Sequence, residues 1–222
     1  MKRLLSTKIL PEPLRDKLTD AGWELTQYNA ISVELLPVLF EPEDSIAVFT
    51  SKHAVHACLS GSADKGLTGA VCLCVGNTTA SLVREHGGVV MESASSATEL
   101  ASLIAEKYTK KFFIYYCGDR RLDILPEAFD KLQIDWEEVI AYRTKIVERS
   151  FNMSFDGIMF FSPSGVEGFT RSNVIGLATA FCIGPTTALA VSNHTKRFKI
   201  AESPGVEALV SLVIQQTNPV KN

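Results

Sequence analysis

The sequence predicts an α/β protein in which one unit of parallel strands and covering helices occurs twice. Three observations carry that prediction. Apolar runs such as Ile46-Ala-Val-Phe49 and Ile158-Met-Phe-Phe161 stop at Ser and open a helical pattern, as a strand buried on both faces does when it meets a helix N-terminus. Strand-like and helix-like stretches alternate along the chain, the order that gives a parallel sheet with helices on both faces. The turns at Ser51, Gly76 and Ser96 recur at Ser162, Gly184 and Ser203, offset by about 110 residues, a period of a duplicated domain rather than of a solenoid.

Taken in order, residues 2–7 read as a first strand. Pro11 and Pro13 then start a helix that places Leu14, Leu18 and Ala21 on one face and stops at Gly22. Trp23 to Tyr28 alternates as a strand, followed by an extended segment through Ile31 and Val33. Pro37, Glu41, Pro42, Glu43 and Asp44 form a turn-rich joint. A strand over 46–51 leads to a helix from Lys52 to about Leu59, a Gly/Ser loop over 60–69, a strand over 70–75 and a helix from Thr78 to Glu85. Val89 to Met91 is a short strand. Ser96 and Glu99 make a capping box ahead of Leu100, Leu103, Ile104 and Tyr108 at helical spacing. The strand over 112–116 ends at Cys117-Gly118-Asp119, and there the repeat begins again. Ile124-Leu-Pro-Glu127, Trp136 and Tyr142 follow that strand as Ile9-Leu-Pro-Glu12, Trp23 and Tyr28 follow the first. Two similar domains with a cleft between them is the architecture this pattern implies.

Composition narrows the function. A net charge of −3 over 222 residues gives no basic surface for nucleic acid, so an acidic ligand has to be held by local donors. Met1 to Thr7 is too short an apolar run for a signal peptide, and no run reaches membrane-spanning length. The five cysteines, Cys58, Cys72, Cys74, Cys117 and Cys182, are odd in number and form no C-x-x-C pair. They read as reduced core thiols of a cytoplasmic protein.

The local donors are the helix N-termini, whose unpaired N–H groups and dipole favour anions. Gly76-Asn77-Thr78-Thr79 and Gly184-Pro185-Thr186-Thr187 are matching turns, in which glycine lets the backbone approach a ligand and threonine adds hydroxyl donors. Simple helix capping accounts for the same residues. Neither turn is a nucleotide-binding fingerprint. Ser51 and the Ser162-Pro163-Ser164 turn are the paired strand ends, with Ser164 and Glu167 spaced as a capping box. Arg120 and Arg121, just past Gly118, either clamp a carboxylate or pair with Asp119 or Asp123. His53 and His56 can share a helix face, but no further ligands are ordered near them, and no metal is expected. Tyr142 stands at a strand end, where a tyrosine either packs or offers its hydroxyl to a leaving oxygen.

Together these motifs resemble the uroporphyrinogen-III synthase family. The matching stretches are Phe49-Thr-Ser51-x-x-Ala-Val55, Val75-Gly-Asn-x-Thr-Ala-Ser-Leu82, Cys117-Gly-x-x-Arg-x-x-Ile-Leu-Pro126, Val139-x-x-Tyr-x-Thr144, Phe160-Phe-Ser-Pro-Ser-Gly165, Ile183-Gly-Pro-Thr-Thr-Ala188 and Ala201-Glu-Ser-Pro204. The resemblance implies two flavodoxin-like α/β domains joined by a two-stranded linker. One domain would combine residues 1–32 with 147–222, the other would span 40–140, and 33–39 and 141–146 would link them. It also implies a cofactor-free, monomeric enzyme that closes hydroxymethylbilane to uroporphyrinogen III. Water is lost to give an azafulvene, and a spiro intermediate turns the last ring over. Because free substrate closes spontaneously to the uninverted isomer, the work of such an enzyme is steering.

On this reading Tyr142 is the first choice for proton chemistry. Ser51, Gly76, Asn77, Gly118, Arg120, Ser162, Gly184 and Thr186 are substrate contacts. The resemblance adds Thr79, Thr187 and Ser164 to the cleft. Two other classes compete. A non-catalytic binding protein for a polyanion would use the same helix termini. A response-regulator-like module would need an acidic cluster at strand ends, where only Asp119 stands.

Overall fold

The computed structural model describes residues 1–40, 44–61 and 66–216. The chain divides into two compact units, Met1–Ser32 with Lys145–Asn222, and Val33–Thr144. Residues 41–43 of the expected joint and 62–65 of the expected Gly/Ser loop lie outside the described residues.

The first unit holds a five-stranded sheet of β1 (Lys2–Ser6), β2 (Trp23–Gln27), β9 (Gly157–Phe160), β10 (Thr179–Cys182) and β11 (Phe198–Ile200), in the order β11-β10-β9-β1-β2. Every pairing in it is parallel. Counted within the unit, this is the 2-1-3-4-5 order of flavodoxin-like sheets. Alternation across the strands sorts the apolar runs onto two faces. Leu5, Ile158, Phe160, Ala180 and Cys182 pack with Val166, Phe169, Ala188 and Val191 of helices α6 (Pro163–Thr170) and α7 (Pro185–Ser192). Leu4, Met159 and Phe181 point the other way, onto Leu14 and Leu18 of α1 (Glu12–Asp20) and Leu209, Val210 and Val213 of α8 (Val206–Gln215). Both faces are covered at the sheet's centre, so β9 and β10 are apolar almost throughout. Full burial of a side chain such as Phe160 contributes about 1.5–3 kcal/mol.

The second unit repeats the plan in six strands: β3 (Ile31–Leu35), β4 (Ile46–Phe49), β5 (Val71–Val75), β6 (Val89–Ala94), β7 (Phe113–Gly118) and β8 (Trp136–Ile146), in the order β3-β8-β7-β4-β5-β6. Ala47, Phe49, Cys72, Cys74 and Tyr116 face helices α2 (Lys52–Gly61) and α3 (Asn77–Glu85). Ile46, Val48, Leu73, Phe113 and Tyr115 face α4 (Ala97–Lys107) and α5 (Ile124–Lys131). All five cysteines are free and buried.

Three sequence expectations are corrected. The helix expected to end near Leu59 continues through Gly61, with Ser60 Oγ donating back to the His56 carbonyl. Tyr142 is not at a strand end: β8 runs on to Ile146, and Ala141 accepts a hydrogen bond from Leu36 N–H just past β3. The box at Ser96 is also shifted. Ser96 Oγ accepts from Glu99 N–H, but the Glu99 carboxylate accepts from Ser95 N–H, one residue earlier than the box requires.

Candidate functional site

In the second unit the direction of winding reverses between β4 and β7, and ligands of open α/β sheets collect at the carboxyl ends of such a strand pair. There β4 turns through Thr50 and Ser51 into α2, and β7 ends at Gly118. Ser51 Oγ accepts from His53 N–H at 3.2 Å, so this serine caps its helix as local chemistry predicts. Thr50 and Tyr115 share a hydrogen bond of 3.1 Å, and burial pushes the Tyr115 phenol up to about 12.

Tyr142 arrives at this edge through a bulge. Along β7 and β8, Cys117 stands opposite Ile140 but Gly118 stands opposite Tyr142, leaving Ala141 as the extra residue. Strict alternation would put Ala141 and Tyr142 on opposite faces. Both instead pack toward the α2 and α3 side, while Ile140 packs on the other. The half-buried Tyr142 ring lies 5.5 Å from the His53 ring between centroids. Burial raises the phenol above its ordinary value, and the adjacent Ser51 hydroxyl pulls against that shift. The group is therefore protonated near pH 7 and able to donate.

In the first unit the corresponding edge lies where β1 and β9 end. Thr7 Oγ1 donates to the Met159 carbonyl at 2.8 Å, and Lys8 Nζ stands 5.8 Å from the centroid of the Phe161 ring. Ser162, not Ser164, caps α6. Pro163 occupies the first helical turn, Ser162 Oγ accepts from Gly165 N–H at 3.0 Å, and Glu167 turns to Arg171 at 2.6 Å. Ser164 is left half-buried in the first turn.

The two glycine turns differ beneath their matching sequences. Gly76 has φ 84°, a left-handed conformation that favours glycine, whereas Gly184 has φ −172°, which any residue adopts. A Cβ on either would meet nothing within 4 Å, so the space ahead of both turns is open. Asn77 and Thr186 are exposed, but Thr79 and Thr187 are only 5% and 2% exposed. Arg120 is exposed, while Arg121 is bound to Asp123 and Glu138 and ties the β7–α5 turn to β8.

Parallel strands end on one edge, so Ser51, Gly76, Asn77, Gly118 and Arg120 gather there in the second unit, joined by Tyr142. Ser162, Ser164, Gly184 and Thr186 gather on the same edge of the first unit's sheet. The sequence reading missed Thr50, Tyr115, Thr7 and Lys8 as neighbours of these edges. Thr7, Lys8 and Thr50 follow strand ends, whereas Tyr115 lies inside β7 and reaches the edge through its hydroxyl, which no local motif marks. Among the described residues no group of three or more His, Cys, Asp or Glu is placed to hold a metal ion, and no helix is long and apolar enough to cross a membrane.

A family profile, that of uroporphyrinogen-III synthase HemD, matches residues 12–211. Among solved structures the chain resembles uroporphyrinogen-III synthetase from Helicobacter pylori, with a TM-score of 0.76 at 19% identity over 97% of this chain and 100% of that one. It also resembles a mutant uroporphyrinogen III synthase from Thermus thermophilus, with a TM-score of 0.67 at 16% identity over 97% of both chains. At these identities the likeness is one of fold. No curated relative matches.

Proposed function

The chain belongs to the uroporphyrinogen-III synthase family, cyclising lyases of tetrapyrrole biosynthesis that act on linear hydroxymethylbilane, and on that premise we propose that Tyr142 is its proton donor. What supports the role is the placement of a neutral phenol beside Ser51 at the carboxyl edge of the second unit's central strands. As the terminal C–O bond of the substrate breaks, the phenol gives its proton to the departing hydroxyl and water leaves. The closing pyrrole carbon later loses its hydrogen as the ring regains aromaticity, and that proton returns to the phenolate.

The substrate carries carboxylate arms on each ring. We assign their binding to backbone N–H groups and hydroxyls at the turns of Ser51, Gly76-Asn77, Ser162-Ser164 and Gly184-Thr186, with Arg120 beside them and Thr79 and Thr187 deeper in the same helices, while the buried Gly118 faces the Tyr142 ring. This makes anion binding compatible with a net charge of −3. The reading needs no metal or organic cofactor, no nucleic acid and no membrane. It takes the chain as a monomer acting in the cytoplasm, and the five buried free thiols fit a reducing compartment.

The test is incubation with fresh hydroxymethylbilane followed by isomer analysis of the oxidised porphyrin. Predominantly type III product is expected. Type I product at the level of the enzyme-free control would reject the reading.

A further inference from the structure

Resting on the reading of Tyr142 above, we propose that the Gly118–Asp119 turn is a positioning device that seats the Tyr142 phenol. Two independent features of the turn converge on that one side chain.

The first is space. Gly118 is buried and does not adopt a positive φ, so its backbone gives no reason for glycine. The reason lies in what a methyl group would strike. A Cβ there would stand 2.5 Å from Tyr142 Cζ and 2.8 Å from its hydroxyl oxygen, far inside van der Waals contact. Those are the far atoms of the ring, which can swing while the backbone stays. Adding the methyl would thus displace the reacting oxygen itself.

The second is the backbone clamp. The Asp119 N–H donates to the Tyr142 carbonyl at 3.1 Å, and Asp119 Oδ1 accepts from Thr144 N–H at 2.9 Å. The two bonds flank Arg143 and so fix β8 immediately after Tyr142, just past the bulge that turns its side chain. A bulge re-aims a side chain, and this carboxylate ties down the strand that carries it. Gly118 and Asp119 are then positioning residues: neither needs to touch the reacting atoms to control them.

The experiment compares Gly118→Ala, Asp119→Ala and Asp119→Asn for kcat, KM and the phenol resonance of isotope-labelled Tyr142. Gly118→Ala should lower kcat about tenfold or more with KM within about twofold, because the arms still bind while the donor is misplaced. Its Tyr142 resonance should move. In a Tyr142→Ala background the same substitution should cost nothing further, since the ring it displaces is gone. Asp119→Ala should lower kcat severalfold, and Asp119→Asn should restore it, because an amide oxygen still accepts from Thr144 N–H. If Gly118→Ala folds poorly, the Asp119 pair decides alone. Unchanged kcat and resonance in Gly118→Ala, or an equal loss with Tyr142 already removed, overturns the proposal. Should the wild-type protein make no type III isomer, the catalytic reading falls, while the resonance of Tyr142 still decides whether the turn seats it.

Discussion

The imidazole of His53 lies against the phenol ring of Tyr142, with centroids 5.5 Å apart and planes inclined at 55°. With Gly118 beneath the ring, the aromatic body is held by contacts that do not involve its hydroxyl. Tyr142→Phe should therefore keep its fold, losing the donor together with a Ser51 hydrogen bond worth about 1 kcal/mol. The expected fall in type III formation is about a hundredfold, the usual scale of one general acid, and larger than for any other single site substitution. A correctly folded Tyr142→Phe enzyme of wild-type rate would remove Tyr142 from the chemistry.

The two glycine turns separate binding from backbone strain. Gly76→Ala forces a Cβ onto φ 84° and should cost about 1 kcal/mol or more in denaturant unfolding. Gly184→Ala carries no such cost at φ −172°, and its Cβ meets nothing in the protein. It should leave stability near wild type and raise KM if a carboxylate arm comes close to that turn. An unchanged KM would take Gly184 out of the binding set.

Tyr28 answers to Tyr142 in the repeat but has a different fate. It is 4% exposed, packs edge-on against Phe151 at 5.2 Å between centroids, and its hydroxyl is buried without a hydrogen-bond partner among the described residues. Burial pushes that phenol up to about 12. An unpaired buried hydroxyl costs stability, so Tyr28→Phe should be neutral or stabilising by up to about 1 kcal/mol and leave the isomer ratio alone. A clear loss of stability by thermal or chemical unfolding would show that the hydroxyl has a partner after all.

The buried thiols fix the alkaline limit. Burial raises Cys72, Cys74, Cys117 and Cys182 from 9.0 to about 12. Above pH 9 the unfolded chain releases these protons while the folded one keeps them, so the unfolded state gains and stability falls as pH rises. The loss should run from about pH 9 to about 12, and no matching loss from these groups is expected below pH 8. Melting temperature against pH checks it. Thiol reagents should label the native protein slowly and the unfolded protein at all five cysteines.

Much of the site was legible because its parts are local. A serine that ends an apolar run and precedes a helix is bound to cap it or lie beside its free N–H groups, and Ser51 and Ser162 do the former. What stayed hidden depends on neighbours distant in sequence. Val139-Ile-Ala-Tyr142 is apolar throughout, so no alternation reveals that a bulge puts Ala141 and Tyr142 on one face. Thr79 and Thr187 read as exposed donors in their turns, and only the packing of their helices shows how little of them reaches the surface.

By itself the sequence determined that an α/β unit occurs twice, where its strands hand over to helices, and which turns correspond. Hydrophobic period and turn chemistry act over a few residues and need no partner. Only the tertiary structure decided which strands join. β1 and β2 belong to the first copy, yet they complete the sheet of β9, β10 and β11 from the second, while β7 and β8 close onto β4. Two copies offer strand ends of nearly the same pattern, so local preference is indifferent between them. The choice falls to long-range burial, Leu4 and Leu5 meeting Met159 and Ile158 across the sheet's two faces.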